Sequence, residues 1–308
     1  MSGCFRKLLF ALALLAGPAA AEEVYLETPK GRLGATLELP AAAAPYTCAL
    51  VLAGSGPTDR DGNQPQVRND SLKQLGAALA KKGLCVLRPD KRGVGASAAA
   101  APPEPELRFE DYVADARAWI AFLRKDARVA RVAVVGHSEG ALVGMLAAKR
   151  GGVDALVSIA GAGNPAADVL RWQAQQLPKE LRKRNDAIVR ELAAGRPVPK
   201  VPRELAPLYR PGVQPFLISW LRYDPAEEIA GLKIPVLLLQ GTSDLQIPVG
   251  DARRLAQADR DARLEIIEDM NHVLKRAVTM AEQNRAYTDP STPIDPRAVE
   301  AIAGFLKP

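Results

Sequence analysis

The sequence predicts an α/β fold, a mainly parallel sheet with helices packed on both faces. Two observations carry that expectation. Short apolar runs of strand length alternate along the chain with longer segments whose apolar residues recur at helical spacing. Of the 308 residues, 48% are hydrophobic and 25% charged, a balance that suits a globular chain with a large core and excludes a disordered or collagen-like one.

Residues 25–28 and 33–39 alternate apolar with other residues around Pro29, Lys30 and Gly31, the pattern of a hairpin. Residues 49–53 read as a buried strand, 72–81 as a helix stopped by Gly83, and 84–87 as the next strand. A helix over 109–123 carries Tyr112, Ala116, Trp119, Ile120 and Leu123 on one face. Strand 132–135, helix 141–149 and strand 155–160 follow, then strands 236–239 and 264–267 with a helix at 251–258 between them. Residues 295–306 close the chain as a helix with Pro296 in its first turn. Short buried strands separated by helices imply parallel pairing.

The first 21 residues have the plan of a secretory signal peptide: Arg6 and Lys7, the apolar stretch 8–16, then Ala19, Ala20 and Ala21 as a small-residue cleavage site. The protein is therefore expected to be exported, to a periplasm or the outside. Its removal takes Arg6 and Lys7 from a chain of formal charge +6 and leaves +4. It also leaves Cys48 and Cys85, whose spacing is wrong for a metal-ligand pair and whose pairing depends on whether their strands are neighbours.

Between the strand ending near 160 and the strand starting at 236 lie about seventy residues without a strand pattern, and such an insertion is expected to form a cap with helices of its own. Residues 166–230 hold 11 Lys/Arg against 8 Asp/Glu, so +3 of the mature +4 falls in this cap. The core is then divided between 22–165 and 231–308.

The chemistry centres on Gly136-His137-Ser138-Glu139-Gly140, a G-x-S-x-G pattern between an apolar strand and an apolar helix. A sharp strand-to-helix turn there lifts Ser138 to the C-terminal edge of the sheet, and the glycines permit the close backbone approach. A serine hydroxyl needs a base. The chain has two histidines, too few for a three-histidine metal centre. His137 sits inside the turn, which directs its side chain elsewhere, so His272 in the loop after strand 264–267 is the candidate base. Asp244, in the loop after strand 236–239, is the candidate acid that fixes the imidazole tautomer, with Asp269 as competitor.

The order Ser138, Asp244, His272 and the surrounding motifs resemble the α/β-hydrolase-fold serine hydrolases, over nearly all of residues 23–308. Residues 90–97 (DKRGVGAS) resemble the family's D-x-R-G-x-G-x-S loop, 241–244 its acid loop, and 271–272 its base loop. Residues 52–57 (LAGSGP) resemble the loop that supplies an oxyanion amide, although Ala53 stands where many members have histidine. The resemblance implies an eight-stranded, mostly parallel α/β-hydrolase sheet, and an oxyanion hole formed by the Ser55 and Glu139 amides with Gly56 as fallback for Ser55. It is closest to the capped serine aminopeptidase and monoacylglycerol-lipase-like group. It also implies neighbouring strands for Cys48 and Cys85, which leaves a disulfide open.

Weaker patterns are set aside. Residues 93–98 mimic a dinucleotide fingerprint, but Pro102, Pro103 and Pro105 deny it the following helix. Residues 59–63 are similar to a calcium loop with its glycine too early, and read instead as a polar turn. Residues 178–203 contain eight basic and three acidic residues, with Leu181, Ile188 and Leu192 at helical spacing. A solvated cap helix is expected there, with contact to anionic lipid or an anionic substrate as the alternative. Nothing supports nucleic-acid binding.

The expectation is an exported serine esterase, acting on a small-molecule ester without a cofactor. An aminopeptidase or amidase is the alternative within the fold, with Glu180, Glu191, Glu204, Glu227 or Glu228 available to hold an amine. A non-catalytic binding protein on a hydrolase scaffold is the alternative outside it.

Overall fold

The computed structural model describes residues 20–307. The expected leader lies outside the described residues except for Ala20 and Ala21, which open the first strand. Strands β1 (Ala20–Thr28) and β2 (Gly31–Leu39) form the expected antiparallel hairpin, turning where Thr28 faces Gly31. Then come β3 (Tyr46–Leu52), α1 (Ser71–Lys81), β4 (Cys85–Pro89), α2 (Phe109–Lys125), β5 (Val129–His137), α3 (Glu139–Ala148) and β6 (Ala155–Ile159). Five helices follow: α4 (Ala166–Gln173), α5 (Lys179–Ala193), α6 (Ala206–Tyr209), α7 (Gln214–Trp220) and α8 (Pro225–Ala230). The chain ends with β7 (Val236–Gly241), α9 (Val249–Ala258), β8 (Arg263–Ile267), α10 (Met280–Thr288) and α11 (Pro296–Leu306).

The eight strands form one sheet in the order β1-β2-β4-β3-β5-β6-β7-β8. β2 pairs antiparallel with β4, and every pairing from β4 through β8 is parallel. Alternation along the strands divides the core. On β3, Cys48, Leu50 and Leu52 face α2 and α3, while Ala49, Val51 and, just past the strand, Ala53 face α1 and α11. From β3 the chain goes to β4 on one side and then to β5 on the other. That reversal opens a crevice at the C-terminal strand ends, where open α/β sheets bind ligands. Cys48 faces Cys85 across β3 and β4, and the two are joined by a disulfide.

The segment between β6 and β7 is helical, and its prolines explain why. Pro207, Pro211, Pro215 and Pro225 each sit in the first turn of a short helix, where the missing N–H leaves nothing unsatisfied. Helix α5 buries Ile188 and Leu192 as their spacing predicts, together with Val189. The segment is held to the sheet at both ends. Asp251 on α9 accepts hydrogen bonds from the Gly163 and Asn164 amides, each 2.8 Å, and Arg254 on the same helix pairs with Asp224 at 2.6 and 2.7 Å. Ser219 on α7 accepts from the first amide of α2, Phe109 N–H, at 2.8 Å, and the Phe109 and Trp220 rings stack. No described helix is long and apolar enough to cross a membrane.

Candidate active site

Ser138 occupies the turn between β5 and α3 with φ 55° and ψ −120°, a strained conformation for a residue with a side chain. The neighbouring glycines permit it. A Cβ on Gly136 would lie 2.3 Å from the Gly140 carbonyl oxygen, and one on Gly140 would lie 2.4 Å from that of Leu52. The Ser138 amide donates to the Ile159 carbonyl at 2.9 Å, which ties the turn to β6. Ser138 is thereby presented at the wall of a cavity of about 560 Å³.

Asp244 and His272 stand at the ends of β7 and β8. Nδ1–H of His272 donates to Asp244 Oδ2 at 2.8 Å. The other carboxylate oxygen accepts from the Gln246 and Ile247 amides at 2.8 and 2.9 Å, and Gln240 Nε2 donates to Oδ2 at 3.1 Å. Burial works to raise the Asp244 carboxyl, but the His272 charge, its hydrogen bond and the two amides together hold it below the usual carboxylate range. An ionised Asp244 keeps the proton of His272 on Nδ1 and leaves Nε2 as an acceptor. Asp269, the competitor, instead pairs with Arg276 at the surface.

The loop that carries His272 is tightly determined. Asn271 Oδ1 accepts from the Val273 and Lys275 amides, and Asp269 and Leu274 adopt positive φ. The fully buried Lys275 donates to the carbonyls of Asn69 and Asp289, and burial pushes its ammonium pKa down. His137 is not solvent-facing. It lies against His272, and its Nε2–H donates to the His272 carbonyl at 2.8 Å.

Ser55 and Gly56 follow β3 beside Ser138 and line the same cavity as Glu139. Among the described residues the Ser55 and Glu139 amides have no hydrogen-bond partner, so two backbone donors are unengaged next to the serine. The remaining motif residues have structural work. Asp90 accepts from Arg60 N, Nε and Nη2 and from Ala96 N, and Arg92 donates two hydrogen bonds, from Nε and Nη2, to the Asp115 carboxylate. In the 59–63 turn, Asp59 Oδ1 accepts from the Asp61 and Asn63 amides, and Asp61 pairs with Arg88.

The cavity is lined by Tyr112, Leu142 and Ile247 from the core and by Leu170, Phe216 and Trp220 from the segment between β6 and β7. Its lining is largely apolar. None of the five glutamates that the alternative aminopeptidase reading made available for a substrate amine lines it. Glu180, Glu191 and Glu228 pair with Lys183, Arg196 and Lys149, and Glu204 and Glu227 are exposed. The carboxylates that do line it are Glu104, paired with Arg210, and Glu139. Sequence reasoning missed Gln240, Lys275 and Lys91, because each acts on a group distant in sequence or through a side chain without a motif.

Comparison with known proteins bears on the fold and the family. The chain is 25% identical over 241 residues to esterase EstD of Thermotoga maritima, covering 77% of this chain and 57% of EstD. It thus spans little more than half the length of that relative. Among solved structures it resembles Est1E from Butyrivibrio proteoclasticus with a TM-score of 0.62 at 16% identity, covering 92% of this chain and 97% of that one. An esterase of Pyrococcus furiosus superposes with a TM-score of 0.59 at 17% identity, covering 94% and 92%. These two likenesses carry the fold. The pattern of the alpha/beta hydrolase family matches residues 50–287, with the G-x-S-x-G turn and both the acid and base loops inside the match, and the chain belongs to that family.

Proposed function

We propose that the protein is an exported serine hydrolase that cleaves carboxylic esters through an acyl-enzyme. The observation that carries this reading is the 2.8 Å bond between Asp244 and His272, placed beside a serine held at positive φ. His272 Nε2 takes the proton of Ser138 Oγ as the oxygen attacks the ester carbonyl. The developing oxyanion is held by the Ser55 and Glu139 amides, and the imidazolium by Asp244. Collapse breaks the ester bond and His272 passes its proton to the leaving alcohol. Water then enters by the same route in reverse and frees the acid. No cofactor is needed for either half.

Several features support the substrate class. EstD and the Pyrococcus furiosus neighbour are named esterases, and Est1E is known with ferulic acid bound. The largely apolar cavity suits an acyl or aryl group, and the absence of the five candidate glutamates from its lining weighs against an aminopeptidase. Residues 166–230 serve as a cap that shapes the cavity, with the basic side chains of α5 on its outer surface. Export is the expectation from the leader-like pattern of residues 1–21, and the disulfide, a bond that persists in oxidising compartments, is compatible with it.

Ser138→Ala tests the reading. It should abolish hydrolysis of short-chain p-nitrophenyl esters and labelling by a fluorophosphonate probe, with the unfolding midpoint unchanged. Wild-type turnover in that variant would refute it.

A further inference from the structure

Lys91 follows β4 and is nearly buried against the site, with its side chain 9% exposed. Its ammonium has three neighbours. Nζ donates to the Gly54 carbonyl at 2.8 Å and to Glu139 Oε1 at 3.0 Å, and it lies 4.7 Å from the centre of the Tyr112 ring. Gly54 and Glu139 are not arbitrary partners. The Gly54 carbonyl and the Ser55 N–H belong to one trans peptide, so they point in opposite directions. A lysine that fixes the carbonyl on one side fixes the direction of the amide on the other. Gly54 has little room to adjust otherwise, since a Cβ there would meet Ser138 Cβ at 3.2 Å and His137 Nδ1 at 3.3 Å. Glu139 supplies the other amide, from the first position of α3.

We propose that Lys91 is the positioning residue of the oxyanion hole, binding the Gly54–Ser55 peptide and the Glu139 side chain into one unit that aims both donor amides. The inference rests on the serine hydrolase reading above and adds a residue to it. Lys91 also has an electrostatic role. The Glu139 side chain is 2% exposed, and its carboxylate would oppose negative charge on the reacting oxygen if it stood unpaired. The ammonium cancels that charge where the oxyanion forms. Tyr112 closes the third side with its ring face, which favours a cation.

The test compares Lys91→Met, Lys91→Arg and Glu139→Gln with wild type on a short-chain p-nitrophenyl ester, with active sites counted by fluorophosphonate titration. A trifluoromethyl ketone, which Ser138 converts to a tetrahedral adduct, reports on the hole directly. Lys91→Met should lose about 10–100-fold in kcat per titrated site, with KM changed by less than about threefold. Ketone affinity should fall by the same factor. Lys91→Arg, which keeps a charged donor for both partners, should recover most of the loss. Glu139→Gln should lose less than Lys91→Met, because the Gly54 bond survives. If Lys91→Met does not fold, Lys91→Gln is read in the same way, and its ketone affinity should fall in step with kcat.

A kcat within about twofold of wild type, unchanged ketone affinity, or a loss confined to the number of titratable sites overturns the inference. Ser138→Ala separates the two levels. Retained turnover there overturns the serine reading and this inference together. An inactive Ser138→Ala alongside a fully active Lys91→Met overturns this inference alone.

Discussion

The Nε2–H of His137 donates to the main-chain carbonyl of His272 at 2.8 Å, and the two rings lie 4.8 Å apart. One histidine thus supports the other. Because Nε2 faces a carbonyl, it must carry the proton, and the His137 ring acts as a neutral strut under the loop. Asp244 grips the His272 ring from the other end at Nδ1. His272, the candidate base, is therefore held both through its side chain and through its backbone.

Replacing the strut while keeping an aromatic ring separates these supports. In His137→Phe the buried His272 carbonyl loses its donor, which should cost about 1–3 kcal/mol of stability. The kcat should fall while KM for a small ester stays near wild type, because this ring does not line the large apolar cavity beside Ser138. Chemical unfolding and steady-state kinetics on the same preparation check both parts.

His137 also sets a pH dependence. Burial, then the nearby His272 charge, push it down to about 4 from an ordinary value of 6.5. Between those values the unfolded chain binds a proton that the folded chain does not. The folded state is therefore favoured above pH 6.5 and progressively loses that advantage as pH falls toward 4, by about 3 kcal/mol in all. His137→Phe should show a correspondingly flatter fall in stability between pH 7 and 4, measured by urea unfolding.

The two candidate acids make opposite predictions. Asp244→Asn leaves the shape of the site but no longer fixes the His272 tautomer, and kcat should drop by about 10³–10⁴-fold. Asp269→Asn removes only a surface pair with Arg276, worth about 1 kcal/mol or less, and should leave kcat within about twofold of wild type. Equal losses in the two variants would contradict the pairing seen here.

The disulfide closes a loop of 37 residues. Replacing Cys48 and Cys85 by alanine should lower stability by about 2–4 kcal/mol through the greater freedom of the unfolded chain. Wild-type protein unfolded in the presence of a reductant should show a similar loss, and the double variant should not respond to the reductant.

The sheet was legible because its central strands are apolar runs bounded by turn residues, as in β5 and β7. The candidate site was legible as a pattern because its pieces sit at strand ends, and because a chain with two histidines leaves His272 as the candidate base once His137 is confined to the turn. Helix α10 was not legible. It buries only Gln283 and Ala286, so no apolar stripe marks it, although Thr279 and Glu282 form a capping box that its sequence announces. The helices of the cap could be expected as a group but not placed one by one, since short proline-initiated helices carry too few residues for a periodic pattern. Lys91 and Gln240 escaped for a different reason. Their importance lies in which oxygen each reaches: strand order brings Lys91 to the Gly54 carbonyl and Glu139, and the local fold of the loop after β7 brings Asp244 and Ile247 to Gln240.

Gly54 and Lys91, just past the ends of β3 and β4, are separated by 37 residues, the same offset as Cys48 and Cys85 on those strands. The disulfide and the lysine–carbonyl bond are the two fastened ends of a single ladder. A slip of β4 by one residue would turn its side chains to the wrong face and draw Lys91 away from the Gly54 peptide. The covalent end forbids that slip. Oxidation of two sulfurs thus fixes the alignment of a loop about 20 Å further along the strands, and a protein fully folded but still reduced would hold that alignment by hydrogen bonds alone.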